Sequence, residues 1–471
     1  MASYILEGST RADPNDIFYK PNVAEEWRRL FDGYHVTIEQ IDSKEFEKKY
    51  LRLQEIGLAA TAAASKEMEH SNASWRTLIN IGVSTLYYSL FSNKRKQQSE
   101  AYLSDPNPTV ATKMMAFIDS KYTYPFINLI LPNIKFHKKV YLPKLLPRIT
   151  IQTLRNERDV SVYLKDLKET DTISQIIKST SRTFIENKSG SIINENKNAF
   201  VKVRILSSRP LPPKAGERFD RVVIDIHGGG FIATTSRCHQ TYLRKWANQS
   251  DVVIFAIDYK LAPKVKYPYI LDELWQAYFW IVTRSEIEFS VKPRTIILVG
   301  DSAGGNLAMS LTLYALRSKF RVPDGLMLGY PALNLSIHSF TPSLLTAIDD
   351  FILRYSFLNI CINSYIPAEE DPSKDAYLSP CLISDEELKQ FPPIRIMAAG
   401  RDPLRDESYK LMNRLVKLKK DAQMIEYRML PHGFWSFDAI FGLNECKLTT
   451  DKAIEWIKRL IENHESKLSS T

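Results

Sequence analysis

Cysteine is scarce: the 471 residues hold four, Cys238, Cys361, Cys381 and Cys446. None of them falls in CxxC spacing, which argues against a zinc site and against a disulfide framework, so reduced thiols and no metal are expected. Long apolar runs are missing too. The most apolar span, Thr77 to Phe91, is too short for a bilayer crossing and is broken by Asn80, Gly82, Ser84, Thr85 and Ser89. A buried helix is expected there. The opening residues MASYILEGSTRADPND turn polar before an apolar stretch of signal-peptide length develops, and a cytoplasmic location is expected. Repeats and low-complexity segments are absent, and with only 17 Gly the composition excludes a fibrous protein.

Charge is lopsided, at +9 with a pI near 9.0. Basic residues gather at Lys135, His137, Lys138, Lys139 and Lys144 and again at Lys417, Lys419 and Lys420. Yet no helix-turn-helix, zinc-finger or ribonucleoprotein-type motif accompanies them, so a solvated basic exterior is the first expectation and nucleic acid is not an expected partner. A phosphate-rich lipid surface is the charged partner that fits better.

The length predicts two domains, or one large domain with an appendage. Residues 1–145 lack strand alternation. From Lys44 to His70, Phe46, Tyr50, Leu53, Gly57, Ala60 and Ala64 recur at the spacing of one helix face, and further helices are expected over Val23–Tyr34, Ser74–Phe91 and Thr109–Ser120. A helical N-terminal domain or cap is therefore predicted for residues 1–145, and a catalytic domain for residues 146–471. In the second part, short apolar runs alternate with helical stretches, as a mostly parallel sheet with crossover helices requires. Eight strands are expected: Arg148–Thr153, Phe200–Leu206, Val222–Ile226, Val252–Ile257, Thr295–Val299, Gly325–Gly329, Ile394–Ala398 and Met424–Met429. Helices are expected over Ile270–Arg284, Asn306–Ser318, Leu404–Lys419 and Lys452–Asn463.

The chemistry clusters where those strands end. After the fifth strand comes Gly300-Asp301-Ser302-Ala303-Gly304, a GxSxG match running into a helix. A turn this tight leaves no room for side chains at the glycines and lifts the serine hydroxyl clear of the backbone. The helix start behind it offers unpaired amides to a developing negative charge. Alone, GxSxG is a weak signal. After the third strand, however, stands His227-Gly228-Gly229-Gly230-Phe231, whose bare backbone can turn amides toward an oxyanion, and the amides of Gly229, Gly230 and Ala303 are the expected donors. Neither the P-loop ending nor GxGxxG spacing is present, so the glycines do not read as a phosphate cradle and no cofactor is expected.

A serine nucleophile needs a base. Of eight histidines, His432 alone follows the last strand. His227 is the rival, better suited to bracing the glycine loop, and His35, His70, His137, His239, His338 and His464 read as surface or packing residues. Asp402, just past the seventh strand, is placed to orient the imidazole, with Asp406 and Glu407 as alternatives inside the next helix. Ser302, Asp402 and His432 then follow the chain order of an α/β-hydrolase triad. Asp301 is expected to point away and to be structural.

Together HGGGF, DYKLAP at Asp258–Pro263, GDSAGGNL at Gly300–Leu307, DPLRDE at Asp402–Glu407 and HGF at His432–Phe434 resemble the hormone-sensitive lipase family of esterases. The resemblance runs from about residue 222 to the end of the chain. It implies an α/β-hydrolase fold and hydrolysis of lipid esters such as diacylglycerols and cholesteryl esters. It also implies a setting of cytosol and lipid droplet, and an N-terminal region that would assist lipid binding, capping or homodimer formation. The chain departs from the family's pattern twice. Only residues 335–377 stand where the animal lipases carry a long regulatory insertion, and Lys264 follows DYKLAP where Glu is common. The apolar segment Leu335–Ile366 is expected to help line the acyl pocket. Two other function classes fit the same motifs less well: an esterase or deacetylase of small soluble substrates, and a non-enzymatic lipid-droplet scaffold or receptor.

Overall fold

Residues 35–39, 48–49, 51–52, 55–63, 75–104, 131–155, 199–213, 217, 219–336, 341–347, 350, 352–440 and 444–469 are described in the computed structural model of the protein. The expected helices at Val23–Tyr34 and Thr109–Ser120 lie outside these residues. Among the described residues nine strands make one sheet: β1 (Val36–Glu39), β2 (Phe136–Pro143), β3 (Phe200–Ser207), β4 (Phe219–Ile226), β5 (Val253–Asp258), β6 (Val291–Asp301), β7 (Gly325–Gly329), β8 (Ile394–Arg401) and β9 (Ala422–Pro431). Their order across it is β1-β9-β8-β7-β6-β4-β5-β3-β2. Only β3 runs against the rest, pairing antiparallel with both β5 and β2.

The central strands are near-continuous apolar runs because both faces of a parallel sheet are covered. All six residues of β5 are buried, and alternate side chains feed two cores. Val253, Phe255 and Ile257 join one with Ile224 and Leu298, while Ile254 and Ala256 join the other with Val223 and Ile297. The labelled helices are α1 (Trp75–Leu90), α2 (Ser92–Ser104), α3 (Ser236–Ser250), α4 (Tyr269–Phe289), α5 (Ala303–Arg317), α6 (Tyr355–Tyr365), α7 (Arg405–Lys417) and α8 (Asn444–Ser469). The α4 and α5 helices cover the first core, and α3 and α8 cover the second.

Three expectations change. Among the described residues the sheet has nine strands rather than eight, and two of them, β1 and β2, come from the segment read as helical. Both are short or heavily charged, so neither shows the alternation that marks a strand: β2 is Phe-His-Lys-Lys-Val-Tyr-Leu-Pro. The strand expected at Arg148–Thr153 is instead a turn entering a short helix, Ile151–Arg155. There Thr150 and Thr153 exchange side-chain and backbone hydrogen bonds, and local bonds of this kind compete with a ladder. Finally, α1 is not a buried helix. Ile79, Val83, Leu86 and Leu90 on one side of it are 60 to 70% exposed. No helix among the described residues is long and apolar enough to cross a membrane.

The chain leaving β2 is fastened to α4 by side chains of that helix. Gln276 Oε1 accepts from the amides of Leu145 and Leu146, both at 2.9 Å, and its Nε2 donates to the Leu146 carbonyl at 2.8 Å. Asp272 accepts from the Ile149 amide at 3.0 Å and pairs with Lys144 at 3.3 Å. The carboxyl ends of β4, β6, β8 and β9 share one rim, where ligands of open α/β sheets bind.

Candidate active site

At the end of β6 the chain turns sharply at Ser302, with φ 52° and ψ −120°, into α5. This is a sparsely populated conformation for a side-chain-bearing residue, and it holds only because its surroundings fix it. Ser302 donates its amide to the Gly329 carbonyl at 2.8 Å, while its own carbonyl accepts from Ala332 at 3.1 Å. A Cβ on Gly304 would run into the Ile226 carbonyl and one on Gly300 into that of Gly304, so Gly304 permits the closeness of β4 to this turn and Gly300 the tightness of the turn itself.

The three side chains expected at the rim meet there. His432 Nε2 lies 2.8 Å from Ser302 Oγ, and its Nδ1 lies 2.7 Å from Asp402 Oδ2. Asp402 Oδ1 accepts from the Leu404 amide at 2.8 Å, which leaves Oδ2 facing the imidazole. All three residues are buried. Burial works against a charged imidazole at 432, but the Asp402 carboxylate, joined by those of Asp350 and Asp301, outweighs it, and the His432 pKa is raised above 6.5. The alternative carboxylates are engaged elsewhere: Asp406 accepts from the Ser343 amide at 2.8 Å and Glu407 pairs with Lys410 at 2.7 Å.

The loop after β4 carries Gly229 at φ 104° and Gly230 at φ 59°. The Gly229 carbonyl accepts from the amides of Ile232 and Ala233, which closes the loop into a tight turn. His227 stacks on Tyr259 with ring centres 4.0 Å apart, and the Tyr259 hydroxyl donates to the His227 carbonyl at 2.8 Å. Burial and the neighbouring His239 hold the His227 pKa down at about 4, so His227 is a neutral brace. The second brace is the DYKLAP segment, where the Ala262 amide donates to the Phe231 carbonyl at 2.9 Å. Lys264, the residue that departs from the family pattern, is exposed, so its own charge is solvated. Ala303 opens α5, and the first amides of a helix have no partner within it. The Gly228 amide donates to Asp301, the residue before Ser302, at 2.9 Å, so the glycine loop lies beside the turn that carries the hydroxyl.

Two features at the rim escaped the sequence. His239, read there as an ordinary packing residue, is buried in a polar cluster with Tyr242 at 2.6 Å and Asp301 at 3.5 Å. Its position on α3, three residues before Tyr242, gives no signal until the fold is known. The segment Leu335–Ile366 supplies core residues such as Leu344, Phe357 and Ile362, and from α6 it also reaches the glycine loop, where Tyr365 stacks on Phe231 with ring centres 4.0 Å apart. Among the described residues no group of His, Cys, Asp and Glu is arranged to hold a metal.

Residues 223–436 match a family model described as an alpha/beta hydrolase fold. Mouse hormone-sensitive lipase is 42% identical over 171 residues, 36% of this chain and 22% of its own length. The chain thus matches less than a quarter of that relative. An esterase of Fusarium pseudograminearum (strain CS3096) is 25% identical over 266 residues, 56% of this chain and 78% of its own. Among solved structures, the hyperthermophilic esterase from the archaeon Pyrobaculum calidifontis superposes with a TM-score of 0.58 over 77% of this chain and 96% of its own, at 23% identity. The likeness to hormone-sensitive lipases that the motifs carry therefore extends through the sequence around them.

Proposed function

We propose that this chain, whose residues 223–436 match the model of an alpha/beta hydrolase fold, is a serine-dependent carboxylic-ester hydrolase that acts on esters of lipids. One observation carries the reading: a single imidazole, His432, reaches Ser302 at 2.8 Å and Asp402 at 2.7 Å. In that role His432 takes the Ser302 proton as Oγ attacks the ester carbonyl, and Asp402 holds the tautomer and stabilises the imidazolium. The carbonyl oxygen becomes an oxyanion facing the amides of Gly229, Gly230 and Ala303, each donor contributing about 3 to 4 kcal/mol. His432 then protonates the departing alcohol. Water, activated by the same base, cleaves the acyl-enzyme and returns the proton to Ser302.

Diacylglycerols and steryl esters are the substrates this reading favours. Support comes from the likeness to hormone-sensitive lipases and from the exposed apolar side of α1, which suits a lipid-droplet or membrane surface. Residues 1–145 would then both complete the sheet through β1 and β2 and present a lipid-facing cap. A second reading, a carboxylesterase of small soluble substrates, is favoured by the Fusarium esterase, which this chain matches over 78% of its length.

The experiment is turnover of p-nitrophenyl esters from butyrate to oleate and of emulsified diolein, by wild type and Ser302→Ala. Hydrolysis by the wild type and its loss in Ser302→Ala are expected, with the longer acyl chains and the emulsion preferred under the first reading. Undiminished turnover by Ser302→Ala would overturn the assignment.

A further inference from the structure

Asp301 stands between the elbow glycine Gly300 and the nucleophile Ser302, and it is almost fully buried. The hydrolytic steps above give it no task. Its Oδ1 nevertheless accepts a hydrogen bond of 2.9 Å from the amide of Gly228, the first glycine of the loop that carries Gly229 and Gly230. The approach is close enough that a Cβ on Gly228 would stand 2.6 Å from Oδ2. The Tyr330 hydroxyl donates to Oδ2 at 3.3 Å, and His239 Nδ1 lies 3.5 Å from Oδ1. Tyr330 also packs edge-on against His432, with ring centres 4.9 Å apart.

A buried carboxylate is costly unless its oxygens are satisfied. Burial pushes Asp301 up to about 6, against the Gly228 amide, His227, His432 and Tyr330, which favour its charged form. The oxyanion donors come from two places, the loop after β4 and the start of α5, and they work only when both lie about 2.7 to 3.1 Å from one oxygen position. Strand pairing sets Ile226 beside Gly300, but beyond Ile226 the ladder ends and glycines with positive φ have wide backbone freedom. The Gly228–Asp301 bond lies where that freedom begins.

We propose that Asp301 is a positioning residue for ester hydrolysis: the carboxylate next to the nucleophile clamps Gly228 and so fixes the amides of Gly229 and Gly230 relative to Ser302 Oγ. This rests on the hydrolase reading above. The clamp ties the two halves of the oxyanion site through one side chain, so the donors and the nucleophile move together. Protonation of Asp301 weakens the acceptor, and the groups that govern it from the surrounding elements are His227 and Asp225 on or after β4, Asp258 at the end of β5, His239 and Tyr242 on α3, Tyr330 after β7 and His432 after β9.

The test compares wild type, Asp301→Ala and Asp301→Asn for turnover of p-nitrophenyl butyrate and for inhibition by an alkyl trifluoromethyl ketone, which forms an oxyanion on the serine. Asp301→Ala is expected to lower kcat at least 100-fold with KM within about threefold, as for loss of an oxyanion donor, and to weaken the ketone by a similar factor. Asp301→Asn keeps an oxygen that accepts from Gly228 and is expected to stay within about tenfold of wild type in kcat and in ketone affinity. Wild-type kcat in Asp301→Ala overturns the clamp, as does a kcat loss without matching loss of ketone affinity. Should Asp301→Ala fail to fold, Asp301→Asn decides alone: a folded variant down by more than 100-fold overturns the clamp, and one within tenfold whose ketone affinity tracks its kcat upholds it. A wild type that neither hydrolyses esters nor reacts with a fluorophosphonate sinks the hydrolase reading itself, and the clamp with it.

Discussion

Gly230 lies against Cys361 so closely that a Cβ on the glycine would overlap the thiol sulfur. The glycine's φ of 59° already disfavours any side chain, and α6 presses on the same loop again where Tyr365 stacks on Phe231. Gly230→Ala is therefore expected to lower kcat by at least 100-fold, through displacement of an oxyanion amide, and to destabilise the fold by about 1 to 3 kcal/mol through overpacking. Adding Cys361→Ala makes room and should recover part of the stability. Denaturant titration and ester kinetics on the single and double variants check both statements.

Asp402→Asn keeps the shape of the site while removing the charge that orients His432. A fall in kcat of roughly 10⁴-fold is expected, with the chain still folded. Pre-steady-state acylation with p-nitrophenyl butyrate should show the loss in the acylation step. Retention of a tenth of wild-type activity would transfer the role to Asp406 or Glu407.

The pH dependence follows from His432, whose pKa is raised above 6.5 because the carboxylates of Asp402, Asp350 and Asp301 together outweigh the effect of burial. The base must be neutral to accept the Ser302 proton, so kcat/KM should climb with pH through an inflection above 6.5. Stability runs the opposite way. The extra hold of the charged imidazole on Asp402 is fully present below the unfolded value of 6.5 and is lost as pH rises through the folded value. In Asp402→Asn burial dominates, and the inflection of the residual activity should move downward. A pH-rate profile whose acid limb lies below 6.5 in the wild type would contradict this.

Gln276 has no hydrogen bond to the reacting groups: it holds the backbone of Leu145 and Leu146 and reaches the Asp272 carboxylate on its own helix at 3.4 Å. Its replacement by Ala strands two amides, at about 1 to 3 kcal/mol for an unsatisfied buried group. A lowered denaturant midpoint with unchanged kcat per folded molecule is expected, measured by active-site titration with a fluorophosphonate.

Much of the fold after residue 199 was legible in the sequence because its signals are local. Buried parallel strands read as apolar runs, and β7 falls on Gly325–Gly329, the limits expected for it. The elbow and the glycine loop also announce themselves, since each needs glycines at fixed offsets. What stayed hidden depends on contacts between distant segments. β2 carries three consecutive basic residues, His137, Lys138 and Lys139, and is a strand only because β3 pairs with it along its whole length. Asp301 and His239 are 62 positions apart and meet only in the folded chain, so neither betrays a polar cluster. The exposed face of α1 has the same letters as a buried one, because composition alone does not say which side of a helix finds a neighbour.

The outermost strand β1 pairs Val36 with Met424 and Glu39 with Tyr427, and the His35 carbonyl receives the Met424 amide at 2.8 Å. The last strand of the sheet is thus shielded by a segment 388 positions earlier in the chain, counted from Val36 to Met424, and during synthesis that segment must wait until β9 is made before its partner exists. Shortening the chain from its front to ease expression would strip this cover and leave the peptide groups along one flank of β9 open to any stray strand, a recipe for self-association and precipitation.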